Sequence, residues 1–117
     1  MKEQRDIKSY FDGVLENITI ILKSDFYKEE DKNIFNEIKV KIENWYKSYI
    51  EANTLKNIEP NELEYIGLEI TDFFDKYISS ESVQENYAER LSYDFGHLEI
   101  YWKEEMIGGK KNGWKRN

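Results

Sequence analysis

The chain has 117 residues, no cysteine and a formal net charge of −7. A length near the commonest domain size predicts a single domain. The lack of cysteine excludes disulfides, thiolate metal sites and a cysteine nucleophile. Only 39% of the residues are hydrophobic, but 15% are aromatic. Because acidic disordered chains are poor in aromatic residues, this composition indicates a folded domain.

The negative charge is concentrated in the second half of the chain. Residues 1–58 contain ten Lys/Arg and eleven Asp/Glu, residues 59–107 three and thirteen, and residues 108–117 four and none. The net charges of these segments are therefore −1, −10 and +4. A negative field repels nucleic acids and anionic membranes and attracts basic proteins. We therefore predict a basic protein partner, with neither nucleic acid nor membrane as a partner.

The sequence also predicts where the protein acts. The N-terminal residues lack the apolar segment and small-residue cleavage site of a signal peptide. The longest apolar run, residues 20–22, is far shorter than the ~18–20 residues that span a bilayer. These features predict a cytoplasmic protein.

Three long helices are predicted in the first two thirds of the chain. Apolar residues recur every three or four positions, which places them on one helix face, over residues 3–23, 27–52 and 60–78. Proline at position 60 suits the first turn of the third helix. The residues at the centres of the three apolar stripes are expected to be buried: Leu15, Ile18, Phe35, Ile42, Trp45, Ile66, Ile70 and Phe73.

The period changes after a predicted short helix at residues 82–90. The apolar residues of segments 90–95 and 98–103 alternate with polar ones, which is typical of strands. Gly96 and His97 lie between the segments and suit a two-residue turn. The pattern predicts a β-hairpin packed against the helices.

The predicted fold is therefore α+β and mainly helical, with three long helices, a short fourth and a C-terminal β-hairpin. The alternative is an all-α four-helix bundle, in which the last helix continues through Met106. Residues 1–107 are predicted to form one globular domain and residues 108–117 a basic C-terminal tail.

Two groups of polar residues have spacings found in catalytic or metal sites. His97 is two positions from Glu99, and Glu69 is three positions from Asp72 on the third helix. Catalytic sites need several convergent groups, so we interpret the histidine as a polar turn residue and the two carboxylates as a solvated helix face. We expect no enzyme activity, no metal and no cofactor.

In size, acidity and tyrosine content the chain resembles bacterial immunity proteins, including those of nuclease bacteriocins and contact-dependent growth inhibition systems. The resemblance is one of composition, so it assigns no binding residue. It implies an inhibitor that covers the active or substrate-binding surface of a basic toxin, such as a nuclease. A phage-encoded acidic inhibitor of a host nucleic-acid enzyme is the alternative, and a small enzyme with a carboxylate/His site is a weaker one.

The predicted partner-binding surface combines the third helix with the hairpin. Carboxylates there would replace the phosphates of a nucleic acid, and tyrosine would supply contact area. The predicted residues are Glu62, Glu69, Asp72, Asp75, Asp94, Glu99 and Tyr101. The protein is expected to be a monomer or a weak dimer.

Overall fold

The computed structural model describes residues 6–82 and 84–107, and this part of the chain is four α-helices without a strand. Helices α1 to α4 span Ile7–Lys23, Glu29–Ala52, Pro60–Tyr77 and Tyr87–Met106. The predicted α+β class is therefore wrong, and the four helices agree with the all-α alternative. The predicted basic tail, residues 108–117, lies outside the described residues.

Local sequence explains several helix ends. At the start of α1, Asp6 Oδ1 accepts a hydrogen bond of 3.0 Å from the backbone N–H of Ser9. At the start of α3, Glu59 Oε1 accepts one of 3.1 Å from the N–H of Glu62. Both carboxylates thus satisfy an N–H that has no partner within its helix. Helix α2 ends at Ala52, and the next residue, Asn53, has a φ of 58° in the left-handed region that asparagine tolerates.

Consecutive helices run antiparallel. Phe11 near the start of α1 stacks on Tyr46 towards the end of α2, with ring centroids 4.7 Å apart. Asp31 near the start of α2 accepts a 2.6 Å hydrogen bond from the Tyr77 hydroxyl at the end of α3. These contacts establish an up-and-down arrangement for the first three helices.

Helix α4 closes the bundle. Trp102 near its end donates a 3.2 Å hydrogen bond to the carbonyl of Ile58, just before α3. On the other side, the ring of His97 lies 4.7 Å from that of Tyr10 near the start of α1. Helix α4 therefore runs antiparallel to both α3 and α1, and its most extensive packing is with α1.

The bundle encloses one apolar core to which all four helices contribute. Seven of the eight residues predicted to be buried are buried, and the eighth, Leu15, is half-buried against the core. The rings of Phe35 and Phe73 meet edge to face at 4.7 Å between α2 and α3. The apolar stripes of the first three helices are therefore confirmed.

The predicted short helix and hairpin are wrong, because residues 87–106 form the single helix α4. Leu91, Phe95 and Leu98 are buried and follow one another by four and three positions, which is the helical period. Tyr93 and Ile100, which would share the apolar faces of two strands, are 59% and 52% exposed. The alternating pattern thus arises by chance, because two exposed apolar residues lie between and beside the residues of one buried helical stripe.

Gly96, which predicted the turn, lies in the interior of α4. Among the described residues no glycine has a positive φ, so this one is not used for its conformational freedom. A glycine inside a helix costs roughly 1 kcal/mol relative to alanine. Burial of Leu91, Phe95 and Leu98 on the opposite face exceeds that cost, since each such side chain contributes about 1.5–3 kcal/mol.

None of the helices in residues 6–82 and 84–107 combines the length and the apolar character that crossing a membrane requires.

Candidate functional site

A groove of about 400 Å³ lies between α1 and the first half of α4. We call it the α1–α4 groove and define it by its lining residues, which are Gly13, Glu16, Asn17, Ile20, Asn86, Glu89, Arg90, Tyr93 and Asp94.

Gly13 allows α4 to place a carboxylate directly against α1. A methyl group at this position would collide with the side chain of Asp94, whose Cγ would lie 3.0 Å away. Glycine therefore has a packing role here, because the two helices approach each other closely at this position.

Two asparagines line the groove, and one of them has a carboxamide oxygen without a donor. Asn17 is the one buried polar side chain among the described residues, at 7% exposure, and its Nδ2 donates a 2.8 Å hydrogen bond to the carbonyl of Gly13. Asn86 Oδ1 is also buried and accepts no hydrogen bond in the described part of the chain. Buried acceptors are normally paired, so the groove has unused capacity to bind donors.

The groove is also negatively charged. Glu16 and Glu89 are exposed on opposite helices, and Asp94 is half-buried between them and takes part in a further interaction. Arg90 is the one basic residue in the lining. Its guanidinium lies 5.4 Å from the ring centre of Tyr87, a residue that does not line the groove. Besides Asp94, the lining thus contains two exposed carboxylates and one guanidinium, and the local field favours a cation.

An aromatic cluster continues the groove towards the end of α4. The His97 ring stacks on that of Tyr10, with 4.7 Å between the ring centroids and an angle of 8° between the ring planes. The centroid of the Tyr93 ring lies 4.4 Å from that of His97. His97 Nδ1 lies 3.0 Å from the carbonyl oxygen of Tyr93. The histidine is held between two rings in the interior of a helix, so its predicted position in a turn is wrong.

His97 and Glu99, two positions apart in the sequence, do not lie on the same side of α4. Glu99 lies on the α3 side of α4, where its Oε2 would be 2.6 Å from a Cβ at Gly67. Burial there raises the pKa of the Glu99 carboxyl, and Lys103 partly offsets this shift. The histidine and the carboxylate therefore face different neighbouring helices.

Glu62, one of the predicted partner-binding residues, faces α2. Its Oε2 is 3.2 Å from Lys41 Nζ, and its Oε1 accepts a 3.3 Å hydrogen bond from Trp45 Nε1. These two contacts connect α3 to α2, and they partly neutralise the charge of Glu62 within the bundle.

Glu69 and Asp72 lie along the same side of α3. They line a small cavity of about 80 Å³ next to Lys76, and that lysine is paired with Asp31 of α2 at 3.1 Å. Asp75 is exposed. The Glu69/Asp72 pair thus borders a cavity too small for a substrate of ordinary size.

The predicted residues of the supposed hairpin separate onto two sides of α4. Asp94 lines the α1–α4 groove, and the Tyr101 ring lies 5.9 Å from that of Tyr10, also on the α1 side. Glu99 faces α3. The seven predicted residues therefore do not form one continuous surface, and their role in binding a partner stays a prediction.

Sequence reasoning missed most of the groove. One signal was present, because Asn17 interrupts the apolar stripe of α1 at a position flanked by Val14, Ile18 and Ile21. A polar residue at such a position indicates either a satisfied core group or a site. Glu89 and Tyr93 are four residues apart on α4, but the predicted hairpin concealed that they share a face.

Residues 6–82 and 84–107 contain no group of three or more His, Asp or Glu side chains arranged to hold a metal ion. No protein-family model matches the sequence, and comparisons with curated proteins and with solved structures also gave no match. Function must therefore be inferred from the residues and their geometry.

Proposed function

We propose that the protein is an acidic cytoplasmic inhibitor, monomeric or weakly dimeric, that binds a basic protein and covers the surface with which that protein contacts nucleic acid. The main support is the net charge of −10 on residues 59–107. A field of this sign speeds association with a basic surface and opposes binding to nucleic acid.

The arrangement of the helices supports this proposal. Helices α3 and α4 contain most of the acidic segment and pack side by side. The outward side of α3 carries three exposed carboxylates, together with Tyr65 at 46% exposure and Leu68 at 58%. We define the outer face of α3 as these five residues, Glu64, Tyr65, Leu68, Asp72 and Asp75.

Each part of the outer face of α3 has a distinct role in the proposal. Its carboxylates would take the places of substrate phosphates on the partner and increase the association rate. Tyr65 and Leu68, when covered, would supply the apolar contact that slows dissociation. The partner would thus be attracted by charge and retained by the two apolar side chains.

The proposal accommodates two biological settings. The partner is a nuclease toxin if the protein is an immunity protein, and a host nucleic-acid enzyme if it is a phage-encoded inhibitor. Both partners present a basic surface that receives phosphates, so the same acidic chemistry serves either one. Identification of the partner distinguishes them.

Affinity capture with matched variants tests the proposal. The immobilised protein is exposed to a lysate of the source organism, and bound proteins are eluted with a salt gradient and identified. One variant neutralises the outer face of α3 by Glu64→Gln, Asp72→Asn and Asp75→Asn. Its control makes the same change in net charge on exposed positions of α2: Glu37→Gln, Glu43→Gln and Glu51→Gln.

We expect a basic protein to bind the wild type and the α2 control and to be lost from the α3 variant. The purified partner should then lose its activity on nucleic acid at a 1:1 ratio of inhibitor. Failure to retain any basic protein would overturn the proposal, as would a captured partner that remains fully active. Equal loss from both variants would show that the outer face of α3 is not the binding surface.

A further inference from the structure

We propose that the α1–α4 groove binds one arginine side chain of the basic partner. This inference rests on the proposed function, since it specifies a contact that the partner makes. The groove and the outer face of α3 are different parts of the surface. Residues of α1 and α4 line the groove, whereas α3 carries the outer face.

The first support is the excess of hydrogen-bond acceptors in the groove. Asn86 Oδ1 is buried without a donor. Asn17, at 7% exposure, uses its Nδ2 within α1, so its Oδ1 is the carboxamide atom that could accept a hydrogen bond from a ligand. A guanidinium carries five N–H donors and no acceptor, so it complements a site in which both asparagines offer oxygens.

The second support is the charge at the rim. Glu16 on α1 and Glu89 on α4 are exposed on the two sides of the groove. A cation between them would interact with both carboxylates, and hydrogen bonds to ionised groups are the stronger kind. Arg90 does not fill this role, because its guanidinium lies over the ring of Tyr87.

The third support is the shape and polarity of the walls. A volume of about 400 Å³ is near the lower end of the range for ligand pockets, which suits a single side chain. Ile20 offers an apolar surface to the methylene stem of an arginine. Tyr93, 59% exposed, offers a ring on which a planar guanidinium stacks. This combination favours arginine over lysine, whose ammonium is compact and strongly hydrated.

The test uses small peptides, so that it does not depend on knowing the partner. The isotope-labelled full chain is titrated with an N-acetylated, C-amidated Gly-Arg-Gly peptide, and the side-chain amide signals of Asn17 and Asn86 are followed by NMR. The same peptide with citrulline in place of arginine keeps the shape and removes the charge. A third peptide contains lysine.

We expect saturable shifts of both asparagine amide signals with the arginine peptide. The citrulline peptide should bind at least about tenfold more weakly, as expected when charged hydrogen bonds become neutral ones. Absence of shifts at these two residues would overturn the inference. It would also be overturned if citrulline or lysine bound as well as arginine.

A matched pair of double variants separates the groove from the general field of the protein. Glu16→Gln/Glu89→Gln should weaken binding of the arginine peptide by about tenfold or more. Glu37→Gln/Glu43→Gln makes the same change in net charge on α2 and should leave the affinity within about twofold, since distant exposed charges are screened. Equal weakening by both pairs would show non-specific attraction and overturn the inference.

The inference and the proposed function fail in different ways. If the arginine peptide does not bind but a basic partner is still captured and inhibited, the groove inference is wrong and the proposed function stands. If the peptide binds as expected and no basic partner is captured, the groove binds arginine but the proposed inhibitor function is wrong.

Discussion

Glu81 connects three parts of the molecule through one carboxylate. Its Oε2 accepts hydrogen bonds from the hydroxyl of Tyr27 at 2.5 Å and from the backbone N–H of Ala88 at 2.9 Å. The first bond fixes the connection between α1 and α2, and the second satisfies an N–H in the first turn of α4. Burial and the bond to Glu81 together raise the pKa of the Tyr27 hydroxyl above its ordinary value of 10.0, so it remains a donor in alkaline solution as well.

The replacement Glu81→Ala should therefore lower the free energy of unfolding by about 1–3 kcal/mol, because it leaves a buried hydroxyl and a helix N–H without a partner. Urea denaturation of the purified variant measures this difference. Glu85→Ala, at an exposed position of the same loop, should change stability by less than about 0.5 kcal/mol. Equal effects of the two variants would contradict the role assigned to Glu81.

Glu99 makes stability depend on pH in a predictable direction. Burial raises the pKa of its carboxyl in the folded state above the value of 4.5 expected without that environment. The folded state therefore binds this proton more tightly than the unfolded state, and stability decreases as pH rises through the window above 4.5. At neutral pH the ionised carboxylate opposes folding.

Glu99→Gln should accordingly stabilise the protein at pH 7, and the gain should disappear at pH 4, below the window in which the carboxyl titrates. Thermal unfolding at both pH values measures this effect. Glu104→Gln, exposed on the same helix, provides the control and should show no such pH-dependent gain. A glutamine variant at position 99 that is less stable than the wild type at neutral pH would contradict the burial of a charged group there.

At the scale of elements, the first three helices were predictable because each carries a long, unambiguous apolar stripe. Helix α4 was not, because Leu91, Phe95 and Leu98 fit a helix while Tyr93 and Ile100 complete a strand pattern. Periodicity over six residues cannot separate these cases. Packing against α1 and α3 decides the outcome, and that information is not local in the sequence.

Gly96 gives a direct test of the helical assignment. A Cβ at this position would have no atom within 4 Å, so Gly96→Ala should stabilise the protein by about 0.5–1 kcal/mol through the higher helix propensity of alanine. In a hairpin turn that required a positive φ, the same change would destabilise. Urea denaturation distinguishes the two results.

Gly13→Ala is the matched control for this prediction, because it makes the same chemical change in the interior of another helix. There the new methyl group would displace the carboxylate of Asp94, which is half-buried and takes part in a further interaction. We therefore expect a net loss of stability despite the better helix propensity. Stabilisation at position 13 and loss at position 96 would reverse the assignment of both sites.

At the scale of the whole molecule, charge assigns the proposed partner-binding surface to a segment of the sequence and not to one face of the fold. The sequence places thirteen acidic residues in residues 59–107 but does not show which of them face a neighbouring helix. Glu62 and Glu99 turn towards α2 and α3. The groove depends on the pairing of α1 with α4, two elements far apart in the chain, and Asp94 is the only predicted partner-binding residue that lines it.

The charge distribution of the whole chain predicts that it does not bind nucleic acid. The acidic segment opposes phosphate contacts, and residues 108–117 are the only one of the three segments with a net positive charge. In a gel-shift experiment at low salt, where electrostatic attraction is strongest, we expect the full chain to retain neither DNA nor RNA at submicromolar concentration. A variant in which Lys110, Lys111, Lys115 and Arg116 are replaced by glutamine should likewise retain neither DNA nor RNA. Retention by the full chain would refute the acidic-inhibitor proposal, and its loss in the glutamine variant would assign the binding to these four cations.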